Sequence, residues 1–132
     1  MVSTLRAADR IRRHFHEIFA LRGLSLQQFN VLRILRGAGE DGLPTLEVAE
    51  RMIEKTPGVT RLLDRLEEKG WVSRERCSRD RRRVYCRITP SGLDLLRELD
   101  EPVEQADKAC AAGLDRQEQK KLQSLLERVA LG

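Results

Sequence analysis

The sequence predicts a mainly helical protein with one small β-hairpin. Apolar residues recur at helical spacing in six separate stretches of the 132-residue chain. Between the fourth and fifth stretches, apolar and polar residues alternate on both sides of a charged turn, as in two antiparallel strands. Charged residues make up 35% of the chain and aromatic residues 4%, which suits a mainly helical protein. The length indicates a single domain, residues 1–132.

The first two helices are predicted from their apolar stripes and start signals. The first should run from about Ser3 to Leu21, with one apolar stripe that includes Leu5 and Ile11. The second begins at Ser25, which is placed to form a capping box with Gln28. Apolar residues cover more than half of its circumference, so this helix is predicted to be buried.

Two shorter helices follow. A strand of two or three residues around Leu43 precedes the third helix, which Thr45 is expected to cap. The fourth helix should open with Thr56 as its N-cap and Pro57 at its first position, where the missing N–H costs nothing. Gly70 suits its left-handed end. Two short capped helices with a tight connection, the second of them amphipathic, form a helix-turn-helix arrangement.

The hairpin comes directly after the fourth helix. Its strands, WVSRERC and RVYCRIT, flank the polar turn SRDRR, and apolar residues alternate with polar ones in the second strand. A hairpin in this place is a wing. The turn and the second strand surround one acid, Asp80, with the arginines Arg79, Arg81, Arg82, Arg83 and Arg87.

Two longer helices complete the chain. Thr89 and Pro90 begin a helix that should reach about Ala112, and its apolar residues repeat in alternating steps of four and three. Such a seam suits a partner helix, so we expect it to be exposed in a single chain. A capping box of Asp115 with Glu118 opens the last helix, which is amphipathic.

Positive charge is concentrated in the middle of the chain. Residues 51–90 carry 12 basic and 6 acidic side chains, whereas residues 91–132 carry 6 basic and 9 acidic ones. A basic central segment beside an acidic C-terminal segment is typical of a protein whose central segment binds a polyanion.

The chain resembles the MarR family (multiple-antibiotic-resistance regulators) in the order of its elements and in three stretches. The order is helix, helix, strand, helix, helix, hairpin, helix, helix. The stretches are LSLQQFNVLRIL, PTLEVAERM and TPGVTRLLDRLEEKGWVSRERCSRDRRRVYCRITPSG. The resemblance implies a fold that is mainly α with a small β wing. A winged helix-turn-helix at residues 25–89 would lie between dimerisation helices at residues 3–22 and 90–131. It also implies a homodimeric transcriptional regulator, usually a repressor that binds a pseudo-palindromic operator and is released by a small aromatic or phenolic ligand.

The resemblance assigns DNA contacts to the fourth helix and the wing. In the family, the second residue after the wing aspartate enters the minor groove; here it is Arg82, and Asp80 is expected to hold its guanidinium. Arg61 is expected to reach base edges in the major groove. The residues expected to bind double-stranded DNA are Thr45, Thr56, Pro57, Gly58, Thr60, Arg61, Arg65, Arg79, Asp80, Arg81, Arg82 and Arg83.

The resemblance also implies a ligand crevice and a dimer interface. The crevice, between the dimerisation helices and the winged domain, is expected at His14, Phe15, Ile18, Phe29 and Arg33. The interface is expected at Leu5, Ile11, Phe15, Leu96, Leu99, Val103, Ala106, Leu122, Leu125, Leu126 and Val129.

Signals for catalysis and for metals are weak. The sequence has no glycine-rich phosphate loop and no nucleophile motif, so we expect no enzymatic activity, catalytic residue or cofactor. His14 and His16 point to different sides of a helix, which is poor spacing for a metal. Three cysteines without close spacing favour a reducing, cytoplasmic environment, and no apolar run is long enough to span a membrane. A turn centred on Asp80 places Cys77 and Cys86 on opposite faces, which disfavours a disulfide.

Two alternatives remain open. A regulator of the same fold would sense oxidation or a metal through its cysteines or histidines, and its DNA binding would then respond to peroxide or zinc. A winged-helix module would instead serve protein assembly without DNA, although that role does not require an arginine-rich wing.

Overall fold

The computed structural model describes residues 1–55 and 57–132 of the chain. Within these residues, six α-helices and a three-stranded sheet follow one another in the predicted order. The elements are α1 (Val2–Ala20), α2 (Leu26–Ala38), β1 (Leu43–Pro44), α3 (Thr45–Arg51), α4 (Val59–Glu68), β2 (Val72–Arg76), β3 (Val84–Ile88), α5 (Pro90–Cys110) and α6 (Arg116–Leu131). The predicted mainly helical fold with a small β wing is therefore confirmed. None of these helices is both long and apolar enough to cross a membrane.

Three helix starts show the predicted capping contacts. The Ser25 hydroxyl accepts from the Gln28 N–H, and the Gln28 side chain accepts from the Ser25 N–H, each at 3.0 Å. Thr89 caps α5, and a second capping box of Asp115 with Glu118 opens α6. Because these caps satisfy N–H groups that have no partner within the helix, they fix the residue at which each helix begins.

The start of α3 differs from the prediction. Pro44 occupies the N-cap position, and Thr45 is the first residue of the helix and caps nothing. The Thr45 hydroxyl instead donates to the Val84 carbonyl of β3 at 3.4 Å. The contact with the sheet therefore replaces the cap that the sequence predicted.

The start of α4 also differs. The helix begins at Val59 with Gly58 as its N-cap, and its first turn is closed by a 3.0 Å bond from the Leu62 N–H to the Gly58 carbonyl. Pro57 lies in the preceding turn rather than at the first helical position. Thr56, the predicted N-cap, lies outside the described residues. The proline signal was therefore correct for a helix start, but it lies two residues before the first helical residue.

The sheet has the strand order β1-β3-β2, and both pairs are antiparallel. In the hairpin, Arg74 lies opposite Cys86, as a turn centred on Asp80 predicts. Cys86 is fully buried. Because directly opposite residues share one face of a sheet, the Arg74 side chain also starts on the buried face of the wing.

The apolar stripe of α5 is buried within its own chain. Leu96 is fully buried, and Leu99 and Ala106 are 2% and 3% exposed, because α5 packs against α1 and α2. The prediction that this seam is exposed in a single chain is wrong. These three side chains leave almost no surface for a partner in this structure. Val103 is only partly buried against the same core.

The apolar stripe of α6 has the opposite environment. No side chain of α6 is buried. Leu122, Leu125 and Leu126 are each 43–45% exposed, and Val129 is 76% exposed. The two last helices thus carry similar sequence patterns, but only one of them is covered by the described part of the chain.

Candidate nucleic-acid interface

The surface of α4 turns polar side chains away from the core. Thr60, Arg61 and Arg65 are all exposed. Successive side chains of a helix are rotated by about 100° around its axis. Of these three, Arg61 therefore points most directly away from the core, and Thr60 and Arg65 lie on either side of it. Thr60 faces the wing, where it lines a groove together with Arg82. No side chain among the described residues caps the first turn of α4, and the N-terminus of a helix is a favourable place for a phosphate.

Three hydrogen bonds organise the tip of the wing. The Cys77 N–H donates to the Arg83 carbonyl at 2.9 Å, and the Arg83 N–H donates to the Asp80 carbonyl at 3.0 Å. The Asp80 carboxylate accepts from the main-chain N–H of Arg82 at 3.0 Å. Asp80 was expected to hold the Arg82 guanidinium, but its carboxylate bonds to the Arg82 backbone instead. A short acidic side chain reaches the N–H two residues ahead more easily than the end of a long side chain.

Six arginines on α4 and the wing tip carry uncompensated positive charge. Within residues 1–55 and 57–132, none of their guanidinium groups forms a salt bridge. All six residues are exposed. They are Arg61, Arg65, Arg79, Arg81, Arg82 and Arg83.

An open groove of about 750 Å³ lies between α3, α4 and the wing. Thr60 lies on its helical side, and Arg82 and Arg83 lie on the side of the wing. Thr45 also lines the groove, although its hydroxyl is already bonded to the Val84 carbonyl. Glu47 and Glu50 of α3 also line the groove, so its unpaired positive charge lies on the side of the wing, and this side has the charge to receive a nucleic-acid backbone.

Arg74 connects the wing to α4. Its guanidinium lies 2.5 Å from an oxygen of Asp64 and 3.2 Å from an oxygen of Glu67, and its side chain is only 20% exposed. The main-chain N–H of Arg74 also donates to Glu67 at 3.1 Å. The hydrogen bond to Glu67 raises the pKa of the Arg74 guanidinium, with further contributions from Asp64. The sequence does not indicate this contact, because strand alternation predicts the face of a side chain but not its helical neighbour.

Comparison with known proteins identifies the family. The MarR family profile matches residues 24–84 of the chain. FarR, an HTH-type transcriptional regulator of Neisseria gonorrhoeae, is 30% identical over 98% of this chain and 87% of its own length. The chain belongs to the MarR family. A MarR transcription factor from Planctomyces limnophilus is 37% identical, and its structure matches 99% of this chain and 93% of its own with a TM-score of 0.77.

Two other solved MarR-like structures are relevant to DNA and ligands. BpsR of Bordetella bronchiseptica, whose DNA binding is regulated by 6-hydroxynicotinic acid, is 26% identical with a TM-score of 0.87 over 98% of both chains. A mutant MarR of Escherichia coli, solved with operator DNA, is 25% identical with a TM-score of 0.86 over 96% of this chain and 89% of its own. This MarR-family protein is therefore a DNA-binding regulator of transcription.

A second cavity of the regulator, of about 340 Å³, lies between α1, α2, the α3–α4 connection and α5. Phe15, Phe29 and Arg33 line it, as expected for the ligand crevice. His14 and Ile18 do not line it: the first is exposed, and the second packs against the core. His14 projects from a different side of α1 than Phe15, whereas Ile18 lies on the same stripe as Phe15 but one turn beyond the last α1 residue that lines the cavity. The lining residues that the sequence did not indicate include Ile11, Arg12, Asn30, Ile53 and Glu54.

The cysteines differ in exposure. Cys86 is fully buried, and this burial raises the pKa of its thiol, although a hydrogen bond to Thr45 opposes the shift. A thiol held in its neutral form is a poor nucleophile toward oxidants. Cys77 is partly exposed and Cys110 is exposed. The register places Cys86 opposite Arg74, which agrees with the prediction that Cys77 and Cys86 lie on opposite faces of the wing.

Proposed function

We propose that this MarR-family regulator is a homodimeric repressor that binds a pseudo-palindromic operator and is released by a small aromatic acid. One observation carries the DNA-binding part of the proposal. The exposed side of α4 and the wing tip hold six arginines without an acidic partner among the described residues. Arg61 suits guanine edges in the major groove, and Arg82 at the tip suits the narrow, electronegative minor groove beside it.

The exposed apolar stripe of α6 supports a homodimer. Leu122, Leu125 and Leu126 remain nearly half exposed, and Leu5 and Ile11 of α1 are 64% and 42% exposed. Soluble monomers rarely expose apolar patches of this kind. We place the interface on α1 and α6, where it includes Phe15 and Val129. The partly buried Val103 of α5 adds to it. A two-fold dimer would present two copies of α4 to half-sites about one helical turn of DNA apart.

The cavity beside α1 supports release by a ligand. Its walls combine two aromatic rings, Phe15 and Phe29, with the guanidinium of Arg33, while a second guanidinium, that of Arg12, is paired with Glu54. This combination suits a flat apolar body that carries a carboxylate or phenolate. One wall is the α3–α4 connection, which leads directly into α4. BpsR, whose DNA binding responds to 6-hydroxynicotinic acid, provides a related precedent in a similar structure.

Selection of bound sequences from random DNA, followed by titration of the selected site, tests the proposal. We expect one inverted-repeat sequence to emerge and to bind one dimer, with the mass checked by light scattering. Recovery of no preferred sequence, or a monomeric mass at micromolar concentration, would contradict the proposal.

A panel of aromatic acids then tests ligand release. A ligand present at about 100 times its Kd should add roughly 2.7 kcal/mol to the free energy of unfolding and should lower operator binding. Peroxide and zinc belong in the same panel, because release by either one without any response to aromatic acids would favour an oxidation or metal sensor.

A further inference from the structure

We infer that Arg74 is a positioning residue for operator recognition: held between Asp64 and Glu67, it sets the wing at a fixed distance from α4. The inference rests on the proposed operator binding, because it assigns a role within that interface. Arg74 itself is not assigned a DNA contact. Its guanidinium is turned toward α4 and is already occupied by two carboxylates.

The position of Arg74 on the buried face of the wing makes this contact unusual. Among the arginines that form salt bridges within the described residues, Arg74 has the least exposed side chain, at 20%. A guanidinium that has lost most of its water needs paired acids to compensate, whereas exposed pairs contribute little. Here a planar group with several donors meets two carboxylates at once, which restricts both its position and its rotation.

The two ends of α4 are held differently. Its C-terminal half is joined to β2 through Asp64 and Glu67, while its N-terminal turn has no side-chain cap among the described residues. Beside the apolar packing of Val72 in the shared core, Arg74 is therefore a polar side-chain link between the helix expected to read the major groove and the strand that leads to the wing tip. A change in this link would alter the separation between Arg61 and Arg82 without removing either of them.

Charge gives the link a second effect. Asp64 lies one helical turn after Thr60, on the side of α4 that faces the groove, and it is about half exposed. Without Arg74, this carboxylate and that of Glu67 would face the DNA backbone unpaired. Glu67 would also lie in the last turn of α4, near the negative end of the helix dipole, where an acid is unfavourable. Arg74 therefore both positions the wing and masks two acids.

Arg74→Lys separates positioning from charge. Lysine keeps the net charge, but its single ammonium cannot hold both carboxylates in the planar geometry of arginine. We expect operator affinity to fall about tenfold or more, comparable to the loss of a good base contact. Binding to random DNA should stay within about twofold, and the slope of log affinity against log salt should not change, because no phosphate contact is lost. Arg97→Lys is the matched control, since Arg97 forms an exposed pair with Asp94 on α5.

Glu67→Gln tests the link from the other side and covers the case in which Arg74→Lys does not fold. It removes one negative charge, so electrostatics alone predicts tighter binding to any DNA. The positioning role predicts weaker operator binding instead, since the glutamine presents an amide to the guanidinium. Circular dichroism and thermal unfolding show that each variant is folded at the assay temperature.

The outcomes are distinct. Weaker operator binding by both variants, with random-DNA binding retained, supports the inference. Wild-type operator affinity in Arg74→Lys, or tighter operator binding by Glu67→Gln, overturns it. An equal loss of affinity on both DNAs also overturns it, since Arg74 would then contribute to the binding of any DNA rather than to operator recognition. Failure of the proposed function itself would appear separately, as a wild-type protein without sequence preference.

Discussion

The tip and the base of the wing use the same residue type in opposite ways. At the tip, Arg82 and its neighbours are exposed, and none of residues 79–83 forms a salt bridge in the described chain. At the base, Arg74 is held by Asp64 and Glu67 of α4, and Arg87 pairs with Glu75. The hairpin therefore has a free basic end and an internally paired end.

This difference shows that the number of arginines in a segment overstates the charge it offers to a partner. A guanidinium paired with two acids contributes mainly to the geometry of the protein, whereas an unpaired one retains its capacity for phosphates and base edges. The four predictions below change one side chain at a time at the tip, on α4 and at the base, in order of decreasing effect on DNA binding.

Arg82→Ala should have the largest effect. We expect operator binding by the proposed dimer to weaken on the order of 100-fold, about tenfold for each wing, because each minor-groove contact is lost. The salt slope should also fall by about one unit per half-site. Thermal unfolding should not change, since an exposed tip buries little surface. Fluorescence anisotropy at three salt concentrations measures these effects.

Arg97→Ala is the matched control for that experiment, because it removes an exposed arginine on α5, outside both the wing and α4. It should bind the operator like wild type. If Arg82→Ala also bound like wild type at every salt concentration, the wing tip would not be a DNA-binding element, and the contrast between tip and base would have no functional meaning.

Arg61→Ala should have a smaller effect of a different kind. As the most outward of Thr60, Arg61 and Arg65, Arg61 is the candidate base reader, so its loss should cost about 1–3 kcal/mol on the operator. Random DNA does not present a guanine at a fixed position opposite Arg61, so the variant should bind it almost as well as the wild type does. Titration of both DNAs, with a repeat of the sequence selection, measures the loss of preference. An equal loss on both DNAs would identify Arg61 as a phosphate contact instead.

The wing could be predicted from the sequence in outline but not in its contacts. Alternation around Asp80 gave the correct register, including Arg74 opposite Cys86. It could not give the distance from Arg74 to α4, because that distance depends on how the hairpin folds back on the helix. The bond between Asp80 and the backbone of Arg82 was missed for a similar reason: a pairing of opposite charges was assumed where a closer N–H was available.

The two last helices show a second limit of sequence periodicity. The stripes of α5 and α6 both predict a partner, but Leu99 of α5 is buried by its own chain while Leu126 of α6 is 43% exposed. Periodicity identifies the apolar face of a helix and does not distinguish an internal partner from an external one. Capping boxes were predicted more securely, since Ser25 and Gln28 are neighbours in the sequence as well as in the structure.

Asp80→Ala should weaken operator binding by only about threefold. The substitution removes one hydrogen bond to the Arg82 N–H, worth about 0.5–1.5 kcal/mol in an ordered turn, while the two backbone bonds of the tip remain. Asp80→Asn is the informative companion, because its carbonyl oxygen still accepts from the N–H. Anisotropy titrations should give wild-type affinity for the asparagine variant. A defect as large in Asp80→Asn as in Asp80→Ala would show that the charge of Asp80 matters more than its bond to the backbone.

Arg87→Gln should have the smallest effect on DNA binding, although it removes an arginine at the base of the wing. Arg87 donates to the Glu40 carbonyl at 2.9 Å and lies 3.2 Å from Glu75, and its side chain is 38% exposed. Exposed pairs of this kind contribute about 0–1 kcal/mol to stability. We therefore expect a slightly lower Tm and unchanged operator affinity and salt slope.

The comparison of Arg87→Gln with Arg74→Lys distinguishes a specific link between the wing and α4 from general stiffness of the hairpin. The two arginines lie on opposite faces of the hairpin, since Arg87 is opposite Ser73 and Arg74 is opposite Cys86. Arg74 contacts α4, whereas Arg87 donates to the Glu40 carbonyl and to the Glu75 carboxylate. If operator affinity fell equally in both variants, general stiffness of the hairpin would explain the effect. A loss confined to Arg74→Lys would show that the wing depends on its specific link to α4.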